Sequence, residues 1–201
     1  MKQVLLVGSG KMGSALLTNW AKKISHLYEL TVIEPKVYDD TRGYFYEPYN
    51  KNQFNKLFGE TNFIQDNESK SNKGVLRGLH FQKPPYDQAK LVRCISGEVL
   101  DVALDLRKKS DTYGKYEKVI LSGENKKQFF IPRGFAHAFL VLSETALFSY
   151  KVDNIYAPDY DSGIIWNDPV LSIDWPLNDS EIIISKKDKN LDLFSKTLSP
   201  F

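Results

Sequence analysis

Apolar and polar residues alternate along the middle of this chain with a period of two. Leu100, Val102, Leu104 and Leu106 alternate with Asp101, Ala103 and Asp105, the pattern of a strand with one face buried. Apolar runs at residues 128–131, 136–142 and 146–152 predict further strands. Turn clusters punctuate them at Ser96-Gly97-Glu98, residues 111–114 and residues 122–125. Short strands at roughly ten-residue spacing predict a sandwich or barrel of the jelly-roll kind between Val75 and Val152. Helical periodicity largely disappears after Pro35, apart from a short helix predicted over residues 52–58. Prolines and aromatics beyond Ile155 predict an irregular C-terminal wrap over the barrel.

The N-terminus has a different pattern. An apolar run, Val4 to Val7, reads as a buried strand, and Gly8, Gly10 and Gly13 then open a helical stretch over residues 11–23. A second apolar run, residues 30–33, ends at Glu34. Strand, G-x-G-x-x-G, helix, strand and an acidic residue about 20 positions on match a dinucleotide fingerprint. One β-α-β unit supplies less parallel sheet than a dinucleotide site needs, which argues against function there.

Composition narrows the chemistry. The 201 residues suit one domain with an appendage, and 42% hydrophobic content is enough for a sizeable core. A net charge of +2 gives no case for a nucleic-acid polymer or a membrane surface as partner. No apolar run approaches the roughly 18 residues of a membrane-spanning helix. The single Cys94 excludes an intramolecular disulfide. The histidines are His26, His80 and His137, and a three-histidine metal site would have to recruit His26 from the N-terminal segment, so the pattern argues against a metal enzyme. Arginine is rare, and Arg42, Arg77 and Arg133 each precede a glycine. A planar fork beside a turn suits phosphate or carboxylate. Arg77, His80 and Gln82 share one short segment. If it is extended, Leu76, Gly78, His80 and Gln82 lie on one face, and Arg77 lies on the other unless a bulge turns it. From pattern alone, His80 and His137 read equally as hydrogen-bonded core histidines. Tyr150, Lys90 and Asp188 do not stand out among their kind.

The motifs taken in order resemble one family. They include Ile33-Glu34-Pro35-Lys36-Val37-Tyr38-Asp39-Asp40-Thr41-Arg42-Gly43-Tyr44-Phe45-Tyr46-Glu47, Gln65-Asp66-Asn67, and Gly74-Val75-Leu76-Arg77-Gly78-Leu79-His80-Phe81-Gln82. Ile131-Pro132-Arg133-Gly134-Phe135-Ala136-His137-Ala138-Phe139, Trp166-Asn167-Asp168-Pro169, Asp174-Trp175-Pro176 and Ile184-Ser185-Lys186-Lys187-Asp188 follow. From about residue 33 to 194 the chain resembles the dTDP-4-dehydrorhamnose 3,5-epimerases, cofactor-free cupins. Residues before this resemble the start of pyrroline-5-carboxylate reductase. Residues 1–34 are therefore expected to be a vestigial Rossmann-like fragment, and residues 35–201 the cupin epimerase domain. The fold implied is mainly β, a double-stranded β-helix with a few short helices.

The resemblance implies a substrate, a dTDP-4-keto-6-deoxy sugar, epimerised at C3 and C5 through enolates without cofactor or metal. It implies His80 as the base with Asp188 as its partner, Tyr150 as the acid and Lys90 as the stabiliser of the enolate oxygen. Arg77, Lys187 and Arg42, the last from a neighbouring subunit, are expected at the diphosphate. Glu47, Gln65 and Asn67 are expected at the nucleotide, His137 beside the sugar or phosphate, and Tyr156 or Tyr44 stacked on thymine. A cytoplasmic homodimer serving dTDP-rhamnose and cell-surface polysaccharide biosynthesis follows. Lys186 and Asp192 depart from the family pattern, and neither bears a proposed role. Three readings stay open beside it: epimerisation at one centre only, a binding barrel without activity, and an NADP-dependent or bifunctional chain.

Overall fold

The computed structural model describes Val4–Val7 and residues 30–201 except residue 198. The glycine fingerprint and His26 lie outside the described residues. The N-terminal elements are strands β1 (Val4–Val7), β2 (Thr31–Pro35), β3 (Tyr38–Asp40) and β4 (Gly43–Phe45), then helix α1 (Lys51–Phe58). The barrel follows as β5 (Gln65–Asn72), β6 (Val75–Gln82), β7 (Lys90–Ser96), β8 (Glu98–Asp105), β9 (Tyr116–Ser122), β10 (Gln128–Ile131), β11 (Phe135–Val141) and β12 (Thr145–Val152). Short β13 (Asp161–Gly163), β14 (Ile183–Ile184) and four single 3₁₀ turns complete the wrap.

Two sheets face each other. The first runs β1-β2-β10-β7-β12-β5 and the second β13-β6-β11-β8-β9, with β14 against β6. The strands interleave between sheets as a jelly roll requires, and the expected mainly β fold is what forms. Between the sheets lie Val92, Val99, Leu121, Phe129, Phe139, Val141 and Phe148. Phe139 from the second sheet stacks on Phe148 from the first, with centroids 4.2 Å apart. Burial of these rings drives the two sheets together.

Each sheet also has a covered outer face. On the first, α1 docks Phe54 against Phe130, Ile33 and Leu91. Asn50 caps this helix by accepting from the Gln53 N–H at 3.1 Å. On the second, Ile164, Trp166, Leu171 and Ile173 of the wrap cover Leu76, Leu100, Val102, Leu104 and Leu140. This corrects the expectation of a half-buried β8. Both its faces are sealed, one by the wrap and one by the facing sheet, and Asp101 and Asp105 are buried with it. Asp105 is satisfied locally, by Arg107, Ser110 and Thr112.

Two strands escape the hydrophobic pattern. β5 is wholly polar, Gln-Asp-Asn-Glu-Ser-Lys-Ser-Asn, yet it pairs with β12 over its full length. β2 crosses the seam expected at Glu34–Pro35: it pairs with β10, and Ile33 joins the packing around α1.

Candidate active site

The site begins with an irregularity in β6. His137 pairs with His80, but two residues further along β11 Phe139 pairs with Arg77, three residues back along β6. The extra β6 residue is a bulge, and it changes which side chains share a face. Leu76, Leu79 and Phe81 all pack outward under the wrap, and Val75 packs on the inter-sheet core. Arg77 and His80 thereby fall on the same inner side, the arrangement that strict alternation forbids. Gly78 makes this possible. Its φ is 128°, and an added Cβ would lie 2.6 Å from both the Ala138 Cα and the His137 carbonyl oxygen.

His80 reaches across the fold to the wrap. Its Nε2 lies 2.8 Å from Asp188 Oδ1, 108 residues on in the chain. The Gly78 N–H donates to the other carboxylate oxygen at 3.4 Å, and Asp188 starts a 3₁₀ turn whose N–H donates to Ser185 Oγ. Burial pushes the Asp188 carboxyl up, but the His80 ring and the Gly78 and Ser185 hydrogen bonds outweigh it, and the carboxyl ends below its usual range. The His80 side chain remains 31% exposed while Asp188 is sealed. The pair is therefore an imidazole open to a ligand with a charged acceptor behind it.

A second pair lies deeper. His137 Nε2 is 2.9 Å from Asp101 Oδ2, on β11 and β8. Burial pushes the His137 ring below its ordinary value and the Asp101 carboxyl above its own, each partly offset by the other. The remaining oxygen, Asp101 Oδ1, is buried without a hydrogen-bond partner among the described residues. Asp101 was missed in the sequence because it occupies the polar half of an alternating strand and reads as solvent-facing.

The facing sheet supplies Lys90 and Tyr150. Lys90 keeps some exposed surface, yet burial around its ammonium pushes its pKa down to about 8, with Asp101 and Asp161 opposing the shift. Tyr150 is half-buried against Phe148. Burial pushes its phenol up, and the nearby Arg77 charge pulls the other way. Arg77 forks onto Ser71 Oγ at 3.1 and 3.2 Å. On the neighbouring polar strand, Asn67 stands opposite Tyr150, and Gln65 donates to Asn67 at 2.7 Å. At the rim, Tyr156 and Lys187 converge on Asp161.

Arg42 and Glu47 stand apart, as does Tyr44 on the Arg42 hairpin. Arg42, with a side chain 87% exposed, pairs with Asp40 on the β3–β4 hairpin. Glu47 borders a small cleft with Pro48, Phe54 and Gln128 beside α1. Within one chain neither joins His80. Arg133, left without a role, holds Asp153 and Asp87. Among the described residues no three His, Cys, Asp or Glu side chains converge as a metal cluster would.

A family profile described as dTDP-4-dehydrorhamnose 3,5-epimerase matches residues 25–196. The chain belongs to the dTDP-4-dehydrorhamnose 3,5-epimerase family. The enzyme of that name from Methanothermobacter thermautotrophicus is 56% identical over 160 residues, 79% of this chain and 86% of that protein. The one from Escherichia coli K12 is 50% identical over 168 residues, 83% of this chain and 90% of that protein. A dTDP-6-deoxy-D-glucose-3,5-epimerase from Legionella pneumophila Philadelphia 1, solved in complex with dTDP-4-keto-L-rhamnose, is 49% identical with a TM-score of 0.81. That match covers 85% of this chain and 90% of the solved one. As a member of the family the chain is a sugar-nucleotide epimerase, an isomerase. The family match starts at residue 25, and the resemblance of the first residues to a reductase is not shown by it.

Proposed function

We propose that the chain inverts C3 and C5 of dTDP-4-keto-6-deoxyglucose, in cytoplasmic dTDP-L-rhamnose synthesis, by proton transfer across the space between its sheets. The observation that carries this reading is the placement of proton-handling groups on opposite walls. His80 stands on one sheet, with a buried carboxylate behind it, and Tyr150 and Lys90 stand on the other. The C4 ketone acidifies the hydrogens at C3 and C5. His80 takes one of them, and Asp188 fixes the ring and stabilises the imidazolium that forms. Lys90, charged below about pH 8, stabilises the enolate oxygen. Tyr150, whose raised pKa keeps it protonated, returns a proton from the opposite face, and the centre inverts.

Arg77 and Lys187 serve the diphosphate, Gln65 and Asn67 the nucleoside, Tyr156 the thymine face, and His137 the floor beneath the sugar. Arg42 and Glu47 complete the site of a second copy in a homodimer. Support comes from the hairpin that carries Arg42, which presents Tyr44 at 56% and Phe45 at 71% exposure. The working barrel begins at β2, since β2 pairs with β10 and Ile33 packs beneath α1. Among the described residues no helix is long and apolar enough to cross a membrane.

Turnover in heavy water tests the reaction. Deuterium should enter at both C3 and C5 of the keto sugar. Label at one centre alone would establish the one-centre reading, and no label at either would overturn proton transfer at this site.

A further inference from the structure

Asp161 sits inside the region that the foregoing reading assigns to an anionic ligand, and no step of the mechanism uses it. A carboxylate beside a diphosphate repels it, so its presence there costs affinity unless it serves the ligand in another way. Its hydrogen bonds show how it could. Asp161 Oδ2 accepts from the Tyr156 hydroxyl at 2.9 Å and also receives the Lys187 ammonium. The Asp161 side chain is 12% exposed, while the Tyr156 residue is 57% exposed. The carboxylate is thus a largely buried anchor for an exposed aromatic.

The backbone on either side of Tyr156 is held as well. Gln82, buried, donates from Nε2 to the Ile155 carbonyl at 3.0 Å and to the Tyr86 carbonyl at 2.6 Å. Its Oε1 accepts the Ala157 N–H at 2.7 Å. Asp161 pairs with Gln82 across β13 and β6, so both anchors arise from one rung of the sheet. An exposed tyrosine with its main chain clamped and its hydroxyl tethered has lost most of its conformational freedom before any ligand arrives. Such preorganisation lowers the entropic cost of binding. The tether also sets the hydroxyl end of the ring beside a cation. A flat base over the ring and phosphate groups at its hydroxyl end follow the layout of a nucleoside diphosphate.

We propose that Asp161 is a positioning residue for nucleotide recognition, holding the Tyr156 ring by its hydroxyl in register with the Lys187 ammonium. This rests on Tyr156 and Lys187 contacting the nucleotide, as proposed above. It goes further by naming what orients them and by assigning the Tyr156 hydroxyl to the protein rather than to the ligand.

A double-mutant cycle on the full chain with dTDP as probe, read by calorimetry, tests it. Tyr156→Phe keeps the ring and removes the tether, and should raise the Kd for dTDP about three- to tenfold, the range of one lost hydrogen bond. In an Asp161→Ala background the same change should cost nothing further, because the tether is already gone. In turnover the loss should appear in KM, where a general loosening of the fold would lower kcat as well. Asp161→Ser, too short to reach the phenol, should abolish the coupling in the same way if Asp161→Ala does not fold. An equal penalty for Tyr156→Phe in both backgrounds, or no penalty in the parent, overturns the role of Asp161. Tyr156→Ala and Lys187→Ala separate the two readings. If both leave dTDP affinity unchanged, it is the nucleotide platform itself that fails.

Discussion

Two Asp–His pairs occupy the same barrel at nearly the same separation, 2.8 Å for His80–Asp188 and 2.9 Å for His137–Asp101. Composition and distance do not distinguish them. Exposure does. The His80 side chain is 31% exposed, whereas His137 is 8% and Asp101 fully buried. In the outer pair the imidazole can meet a ligand and its carboxylate is held below the usual range. In the inner pair burial pushes both groups toward neutrality. One residue combination thus leaves an open imidazole at the mouth and a buried polar strut beneath it. The cause is tertiary. Asp188 arrives from the wrap at the edge of the cavity, while Asp101 comes from a central strand covered on both faces.

The sharpest way to break this comparison is to remove each imidazole. His80→Asn should lower kcat about 10³-fold, within the range of general base catalysis. His137→Asn should lower it far less and instead cost about 1–3 kcal/mol of stability, since it leaves the Asp101 carboxylate unpartnered in the core. Coupled turnover assays and urea unfolding on both variants check this. Equal kinetic losses would mean that the two pairs share one function. Next in size is Gly78→Ala, which places a Cβ against Ala138 and the His137 carbonyl and should destabilise by about 3 kcal/mol or more. A urea midpoint near that of the parent would mean that the bulge tolerates a side chain.

The smallest expected effect concerns pH. Lys90 has its pKa lowered to about 8 by burial, against the pull of Asp101 on β8 and Asp161 on β13, with His137 also nearby. Its ammonium is present below that pH and lost above it. The kcat profile should therefore fall on the alkaline side of about pH 8, approaching tenfold per unit. Asp101→Asn should move that limb to lower pH, because it removes the inner carboxylate that favours the charged form. A limb that stays in place would uncouple the inner pair from Lys90.

Much of the fold was legible in the chain. The apolar runs at β10, β11 and β12 marked strands within a residue or two of their bounds, because burying one face leaves a periodic trace. β5 left no such trace. Its eight polar residues are a strand through backbone pairing with β12, and the one buried among them, Ser71, accepts from Arg77 rather than joining the apolar core. Arg77 and His80 were visible as neighbours, but their shared face depends on one extra residue in a strand pairing. Asp101 was misread as solvent-facing because alternation reveals only that two faces differ, not that both are covered. Arg42 and Glu47 carry the family motif yet stand away from His80, because the hairpin and the cleft beside the helix lie apart from β6 in the fold, which no local pattern states.

By itself the sequence determined the strand-rich jelly roll and the residue types available for proton transfer. Hydrophobic periodicity and family motifs are local properties of the chain. Only the tertiary structure decided that His80 meets a carboxylate 108 residues away, that Arg77 turns inward, and that one Asp–His pair is open while the other is sealed. These depend on long-range pairing, on a glycine bulge and on which surfaces the wrap covers, and burial then sets the chemistry of each group through the cost of holding charge away from water.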